Sequence, residues 1–467
     1  MRISSNDRPE PAEYLPMTFP QRWLMNQMHG FKRPGWLCID FLAKTKRPMD
    51  EEAMRETVRY LVNKYESLRV KIHNKEGNWV QEVYPLSEAH PFVSYDLSSL
   101  DEPSRLKELR QVCIKERDDM LPWKGDPIRI IFFKFSPDEG RLWFLLHHII
   151  CDFVSILILT SEFMTVYNSI KQGRELKWKV DRDYRKWLYL IEGYTRDVML
   201  PVEWGYWTSL PWDKTRMLPS DYPEKFHDDK IILNAISNKT ILHTFRILFQ
   251  GIDQDLTARL FSKCGADFEN ILVAVFFLAV ARQKKMDWLD INVCNSGRNV
   301  LPPEYDVNVS RLLGFTAISR ALLLRRPTCE NILEDIRHVM EQIRKVPNGG
   351  IGYYLISDHI GNDQLRSFYF NLRQPGEIFF NYLGRVNTNF NYEQYETAEE
   401  DTGWGEHEEE FQNTLLACFV GLRENQLFIR INYTEEYFKP GTIEEIMQSI
   451  MTMLREIAEE NIIEKVA

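Results

Sequence analysis

Two adjacent histidines stand in the run His147-His148-Ile149-Ile150-Cys151-Asp152-Phe153-Val154-Ser155, the only neighbouring pair among ten. Histidine titrates near neutrality, so an imidazole held by fixed neighbours can serve as a general base or as a hydrogen-bond partner for a reacting group. The pair closes an apolar, β-rich stretch. Successive strand side chains point to opposite faces, so one ring can face a cleft while the other packs inside. Asp152 falls where the strand gives way to a helix, where it can cap that helix or hold a buried cation. Residue types alone leave a second reading open: two hydrogen-bonded core histidines.

The elements that must position this run are legible from periodicity. Residues 128–135 and 141–150 read as two buried strands joined at Ser136-Pro137-Asp138-Glu139-Gly140, a turn cluster, and 153–173 reads as a helix. Residues 51–68 carry Met54, Val58, Leu61, Val62, Tyr65 and Leu68 at helical spacing. Residues 183–208 are helix-rich. The segment 209–235, with three prolines and mixed charge, reads as a linker. Beyond it, strands are expected at 242–249, 288–294, 318–324, 377–383, 414–421 and 427–433, and helices at 270–284, 331–345 and 442–460. The expected organisation is an α/β protein with an N-terminal lobe at 1–208, the linker, and a C-terminal lobe at 236–467.

With 467 residues, 44% hydrophobic and 27% charged, the chain can bury large cores and is neither disordered nor low in complexity. Its 12 Trp, 20 Tyr and 27 Phe are enough to line a large cleft as well as fill a core. A net charge of −10 disfavours nucleic acid as a partner. The acidic stretch Glu396–Glu410 reads as a solvated loop. Seven widely spaced cysteines with no CxxC argue against a disulfide framework or structural zinc and suit a reducing compartment. No metal site is expected. Residues 1–16 lack the apolar core of a signal peptide, and no uninterrupted apolar run approaches 18 residues. A soluble cytoplasmic monomer without membrane contact is the expectation.

His147-His148-x-x-x-Asp152 with Ser155 resembles the HHxxxD signature of the nonribosomal peptide synthetase condensation superfamily. Other segments follow in order. Residues 17–25 (MTFPQRWLM) resemble the opening motif, and 64–72 (KYESLRVKI) resemble RHExLRTxF with Tyr65 in place of its His. Residues 126–129 (DPIR), Trp187, the pair Tyr206-Trp207, 296–298 (SGR) and 428–438 (FIRINYTEEYF) match further family positions. The resemblance implies two chloramphenicol-acetyltransferase-like lobes in a V with a central tunnel, in which carrier proteins present phosphopantetheine thioesters. It implies a catalytic set of His148 as the catalytic His, His147 beside it but turned away, and Asp152, which it pairs with Arg298 as support. Phe153 (where most members have Gly), Ser155, Cys294 and Ser296 are expected to line the tunnel. No cofactor of its own is implied, since phosphopantetheine belongs to the partner carrier.

Four segments resemble the epimerization branch more closely: 20–23 (PQRW), 308–317 (NVSRLLGFTA), 343–355 (IRKVPNGGIGYYL) and 377–385 (EIFFNYLGR). That branch carries a Glu in an EGHGRE segment opposite the His, because racemization moves a proton off one face of a carbon and onto the other. Aligned on Gly297-Arg298, this chain has Cys294 there. The sequence therefore keeps what condensation needs and lacks what epimerization needs. The expected activity is a freestanding condensation-type acyltransferase that joins a carrier-bound acyl or peptidyl thioester to an amine, small or carrier-bound, or to a hydroxyl, meeting its carriers in trans. An epimerase of carrier-bound groups is the alternative with the same fold. A non-catalytic docking module that recruits a tailoring enzyme is the alternative of another class.

Overall fold

The computed structural model describes residues 13–28, 33–85, 91–125, 127–176, 179–228, 231–232, 245–298, 300–302, 304–305, 307, 309–329, 331–359, 378–385, 394–403 and 414–459. Among these the chain forms two compact units. The first takes the residues up to Gly193 together with 296–317 and 388–410; the second takes 194–295, 318–387 and 411–467.

In the first unit, β1 (Glu13–Pro16), β3 (Val70–Lys75) and β4 (Asn78–Val83) form a small sheet in the order β1-β4-β3. The larger sheet is ordered β12-β2-β7-β6-β5, from β2 (Cys38–Thr45), β5 (Phe92–Asp96), β6 (Ile128–Lys134), β7 (Gly140–His147) and the late strand β12 (Tyr395–Thr397). Every residue of β7 is buried, which explains its continuous apolar run. Helices α1 (Phe19–Met28), α2 (Glu51–Lys64), α3 (Glu102–Asp119), α4 (Phe153–Lys171) and α5 (Asp183–Tyr194) complete the unit. α2 buries the stripe Met54, Val58, Leu61 and Val62 and begins where Asp50 accepts the Ala53 N–H at 3.0 Å. The strand expected to reach residue 150 ends at His147. Residues 148–150 form one 3₁₀ turn because the Ile149 N–H turns back onto the His147 ring instead of continuing the ladder.

The acidic stretch is not a free loop where it is described. Residues 395–397 pair with β2, the Glu400 carboxylate meets Arg141, and Asp401 meets Arg110 at 2.8 Å. Next to them the buried Arg117 guanidinium bonds Asp40 at 2.7 Å and Thr402 Oγ1 at 2.9 Å, and it stacks on the rings of Trp36 and Trp143. Residues 404–410 lie outside the described residues.

The second unit carries a sheet ordered β10-β9-β11-β13-β14-β8. Its strands are β8 (Phe245–Gly251), β9 (Trp288–Asn295), β10 (Ile318–Arg325), β11 (Ile378–Arg385), β13 (Leu416–Arg423) and β14 (Gln426–Thr434). α6 (Leu200–Ser209), α7 (Gln254–Cys264), α8 (Phe268–Gln283), α9 (Ile332–Lys345), α10 (Gly352–His359) and α11 (Pro440–Glu459) accompany it. α8 packs against α9 and α11. With α7 it is long and apolar enough to cross a bilayer, as α4 is, but 72% of its apolar window is buried in the protein; it is apolar all round because it is a core helix.

The division of the chain differs from the expected boundaries at 208 and 235. Residues 194–208 belong to the second unit, while 296–317 and the described part of 388–410 return to the first. The described part of the expected linker belongs to the second unit. Met217 and Leu218 are buried, Leu218 O accepts the Tyr437 hydroxyl, and Asp221 pairs with Lys284 at 2.8 Å. The branch-like segment 343–355 has a packing reason as well. Glu203, fully buried on α6, accepts Asn348 Nδ2 at 2.6 Å and Trp207 Nε1 at 2.9 Å. A Cβ at residue 352 would stand 2.0 Å from its Oε2, so any larger residue there would push the Glu203 carboxylate out of these bonds.

Candidate active site

β7 delivers both histidines. His147 is fully buried. Its Nδ1 accepts the Ile149 N–H at 3.1 Å, and its Nε2 lies 3.2 Å from the Pro34 carbonyl, which can only accept, so Nε2 carries the proton. Burial, with His148 alongside, holds its pKa down to about 3. Both nitrogens are committed and the ring stays neutral. His147, expected in the catalytic set, has no surface to offer a substrate and anchors the strand end.

His148 is half-buried. Its backbone N–H donates to Leu37 O at 2.8 Å, and its ring stands edge-on to Phe315 with centroids 5.5 Å apart. Nδ1 lies 2.8 Å from the Cys151 carbonyl. A carbonyl cannot donate, so the proton sits on Nδ1 and the Nε2 lone pair is free. Among the described residues no hydrogen-bond partner occupies Nε2.

Asp152 caps α4. Its Oδ1 accepts the Ser155 N–H at 2.8 Å while Ser155 Oγ accepts the Asp152 N–H at 3.4 Å, a capping box, and the Ser155 hydroxyl donates to Oδ1 at 2.7 Å. Arg298 Nη2 lies 2.7 Å from Oδ1 and 2.8 Å from Oδ2, and the Thr316 hydroxyl lies 2.7 Å from Oδ2. Arg298 Nη1 donates to Val309 O at 2.9 Å and Leu312 O at 2.7 Å. The carboxylate is thus fully engaged and points at its own clamp, not at a reacting atom. Its charge is matched by a guanidinium that is itself buried.

The remaining expected residues divide. Ser155, expected to line a tunnel, is fully buried; its hydroxyl proton goes to Asp152, the closer acceptor, and its Oγ accepts the Gly314 N–H at 3.1 Å. The capping box explains its position. Phe153 opens α4 and is half-buried. Ser296 is exposed, and its carbonyl accepts the Thr316 hydroxyl at 2.8 Å. Cys294 belongs to the second unit, on β9 opposite Ser319 of β10 and beside Asn381 of β11, and is half-buried. The structure therefore gathers His147, His148, Asp152, Ser155 and Arg298 into one cluster. Reading the sequence missed Gly314, Phe315 and Thr316, which lay inside a segment noted only for its branch likeness, and Gln21, whose place in PQRW says nothing of what it touches.

Two outcomes follow for stability. Asp152→Ala should lower it by about 3–5 kcal/mol in urea denaturation, as for an orphaned buried charge. Arg298→Ala should do likewise, and the double variant should cost far less than the sum; additive losses would contradict the clamp. Histidine in the unfolded chain titrates near about 6.5, against about 3 for folded His147. As pH falls between those values the unfolded chain binds a proton that the native chain refuses. Stability therefore drops with falling pH, by up to about 1.4 kcal/mol per unit from this residue. His147→Asn should lose less stability than wild type between pH 6.5 and pH 4, and equal losses would contradict the assignment.

The condensation-domain family matches this chain over residues 12–461. A linear gramicidin synthase from Brevibacillus parabrevis is 22% identical over 450 residues, which are 95% of this chain and 8% of that protein. The chain thus spans a small fraction of the length of the curated relative it matches. The crystal structure of the epimerization domain from the third module of tyrocidine synthetase B superposes with a TM-score of 0.76 at 21% identity, covering 97% of this chain and 99% of that one. The condensation domain from Monacolin K polyketide synthase MokA superposes with a TM-score of 0.71 at 11% identity, covering 97% and 99%. These likenesses show the two-lobed chloramphenicol-acetyltransferase-like fold. The chain belongs to the condensation-domain family of the nonribosomal peptide synthetases.

Proposed function

We propose that this domain is a condensation-type acyltransferase that joins a carrier-bound acyl or peptidyl thioester to an amine. Family membership supports a role on carrier-bound substrates in peptide assembly. The observation that carries the finer reading is the state of His148: Nδ1–H is held by Cys151 O, Nε2 is open, and the neighbouring carboxylate is locked into Asp152–Arg298.

One positioned acceptor suffices for amide formation. The amine nitrogen attacks the thioester carbonyl while Nε2 accepts its hydrogen bond and takes a proton; the C–N bond forms, the C–S bond breaks, and the phosphopantetheine sulfur leaves with the proton relayed by the imidazole. His147, neutral and buried, keeps the strand end in register without adding charge. The carrier partners supply phosphopantetheine; the domain's own residues bind and orient.

Epimerization is the second reading, favoured by the four branch-like segments. The segments 308–317 and 343–355 have packing reasons, in the Arg298 clamp and the Glu203 contact. At the aligned position of the branch's Glu stands Cys294, whose thiol is a weak base at neutral pH unless its pKa is depressed.

In a carrier-coupled assay His148→Ala should fold and lose roughly 10²–10⁴-fold in turnover; near-wild-type rates would overturn the assignment. Cys294→Ala should change the rate only modestly, and an α-deuterated aminoacyl group on the carrier should keep its label. Rapid washout by wild type that disappears in Cys294→Ala would establish the epimerase instead.

A further inference from the structure

We infer that Gln21 and Tyr184 are positioning residues for His148, holding the turn whose carbonyl fixes its tautomer. The inference rests on the reading of His148 as the proton acceptor.

The His148 tautomer depends on where the Cys151 carbonyl points, and Cys151 is the residue whose N–H closes the short turn 148–150 by donating to His148 O at 3.4 Å. Buried in the same unit lies Gln21, fully shielded from solvent. Its Nε2 donates at 2.9 Å to Ile149 O, the carbonyl in the middle of that turn, and at 2.9 Å to the Tyr184 hydroxyl. Its Oε1 accepts the Thr18 N–H at 3.0 Å. A flipped amide would point an oxygen at the Ile149 carbonyl and an NH₂ at the Thr18 N–H, so the orientation is forced. The Tyr184 hydroxyl donates in turn to Gln81 Oε1 at 3.3 Å.

Tyr184 also bears on the other side of His148. A Cβ on Gly314 would stand 2.2 Å from the ring of Tyr184, so that ring and the Gly314 backbone are in closest packing. Gly314 is tied through its N–H to Ser155 and thence to Asp152, and the next residue, Phe315, lies edge-on to His148. A closed ring of contacts results: Gln21 to the turn that bears His148, Gln21 to Tyr184, Tyr184 to Gly314, and Phe315 back to His148. Loosening Gln21 releases the turn; loosening Tyr184 releases both the Gln21 amide and the packing on Gly314, the residue before Phe315. Neither residue needs to touch a substrate to act.

A long-range ¹H–¹⁵N spectrum of ¹⁵N-histidine-labelled protein, with the signal assigned by its loss in His148→Gln, reads the tautomer without any substrate. Wild type should show His148 protonated at Nδ1 alone near pH 7.5. Gln21→Met and Tyr184→Phe should remain folded by circular dichroism, yet show His148 as a mixture of tautomers. In the carrier-coupled assay each should lose about 10- to 100-fold in kcat with less than about a threefold change in KM for the carrier substrate. Tyr184→Phe keeps the ring against Gly314 and guards against simple misfolding of Gln21→Met. An unchanged tautomer and unchanged kcat in both folded variants would overturn the inference. If wild type shows the Nδ1–H tautomer and the variants lose it, but His148→Ala retains full activity, the positioning network stands and the catalytic role of His148 falls instead.

Discussion

A carboxylate buried at the first turn of a helix must be fully hydrogen-bonded and matched by a cation, or the chain will not keep it there. Asp152 is that carboxylate. Its demands fix the Ser155 hydroxyl, the Thr316 hydroxyl and the Arg298 guanidinium, and Arg298 in turn gathers the carbonyls of Val309 and Leu312. Residues 296–317 are thereby drawn into the first unit although residues on both sides of them belong to the second. Phe315, which shapes the ground under His148, arrives as a passenger on that segment.

The same geometry separates two jobs that a pair of histidines and an aspartate are often asked to share. Asp152 is turned into its clamp and is not engaged with either imidazole among the described hydrogen bonds. His147 spends both nitrogens on backbone groups. Of the three, only His148 keeps a ring nitrogen with no hydrogen-bond partner among the described residues, and a carbonyl rather than a carboxylate orients it. A carbonyl partner fixes the tautomer. Such a residue is suited to accept a hydrogen bond and hand the proton on quickly, which is what an amine attacking an activated thioester requires. Removing a carbon-bound proton is a harder demand, and it ordinarily calls for a second acid/base group on the far face.

Much of this was legible in the residues. The strands and helix around His148 follow from apolar periodicity, and the Asp152–Arg298 pair follows from the family resemblance of two short motifs. The end of β7 was not legible, because Ile149 and Ile150 are ideal strand residues and only the His147 ring, by taking the Ile149 N–H, stops the ladder. Nor were the unit boundaries: periodicity carries no information about long-range return, and β12 is a three-residue strand whose partner, β2, lies some 350 positions earlier in the chain. The proline-rich segment 209–235 reads as a linker because prolines break local structure, yet Met217 and Leu218 bury against the second unit. Ser155 reads as a tunnel residue, because nothing in the run shows that its hydroxyl and N–H are taken by the cap of the helix.

We propose that the open Nε2 of His148 makes this a bond-forming rather than a stereochemistry-inverting domain. Intact-mass measurement of a loaded donor carrier and an amine-bearing acceptor carrier, incubated with the purified chain, tests it most directly. The account predicts that the acceptor gains the mass of the donor's acyl group while the donor reverts to the free phosphopantetheine form. Carriers of unchanged mass whose aminoacyl group has changed configuration would contradict it.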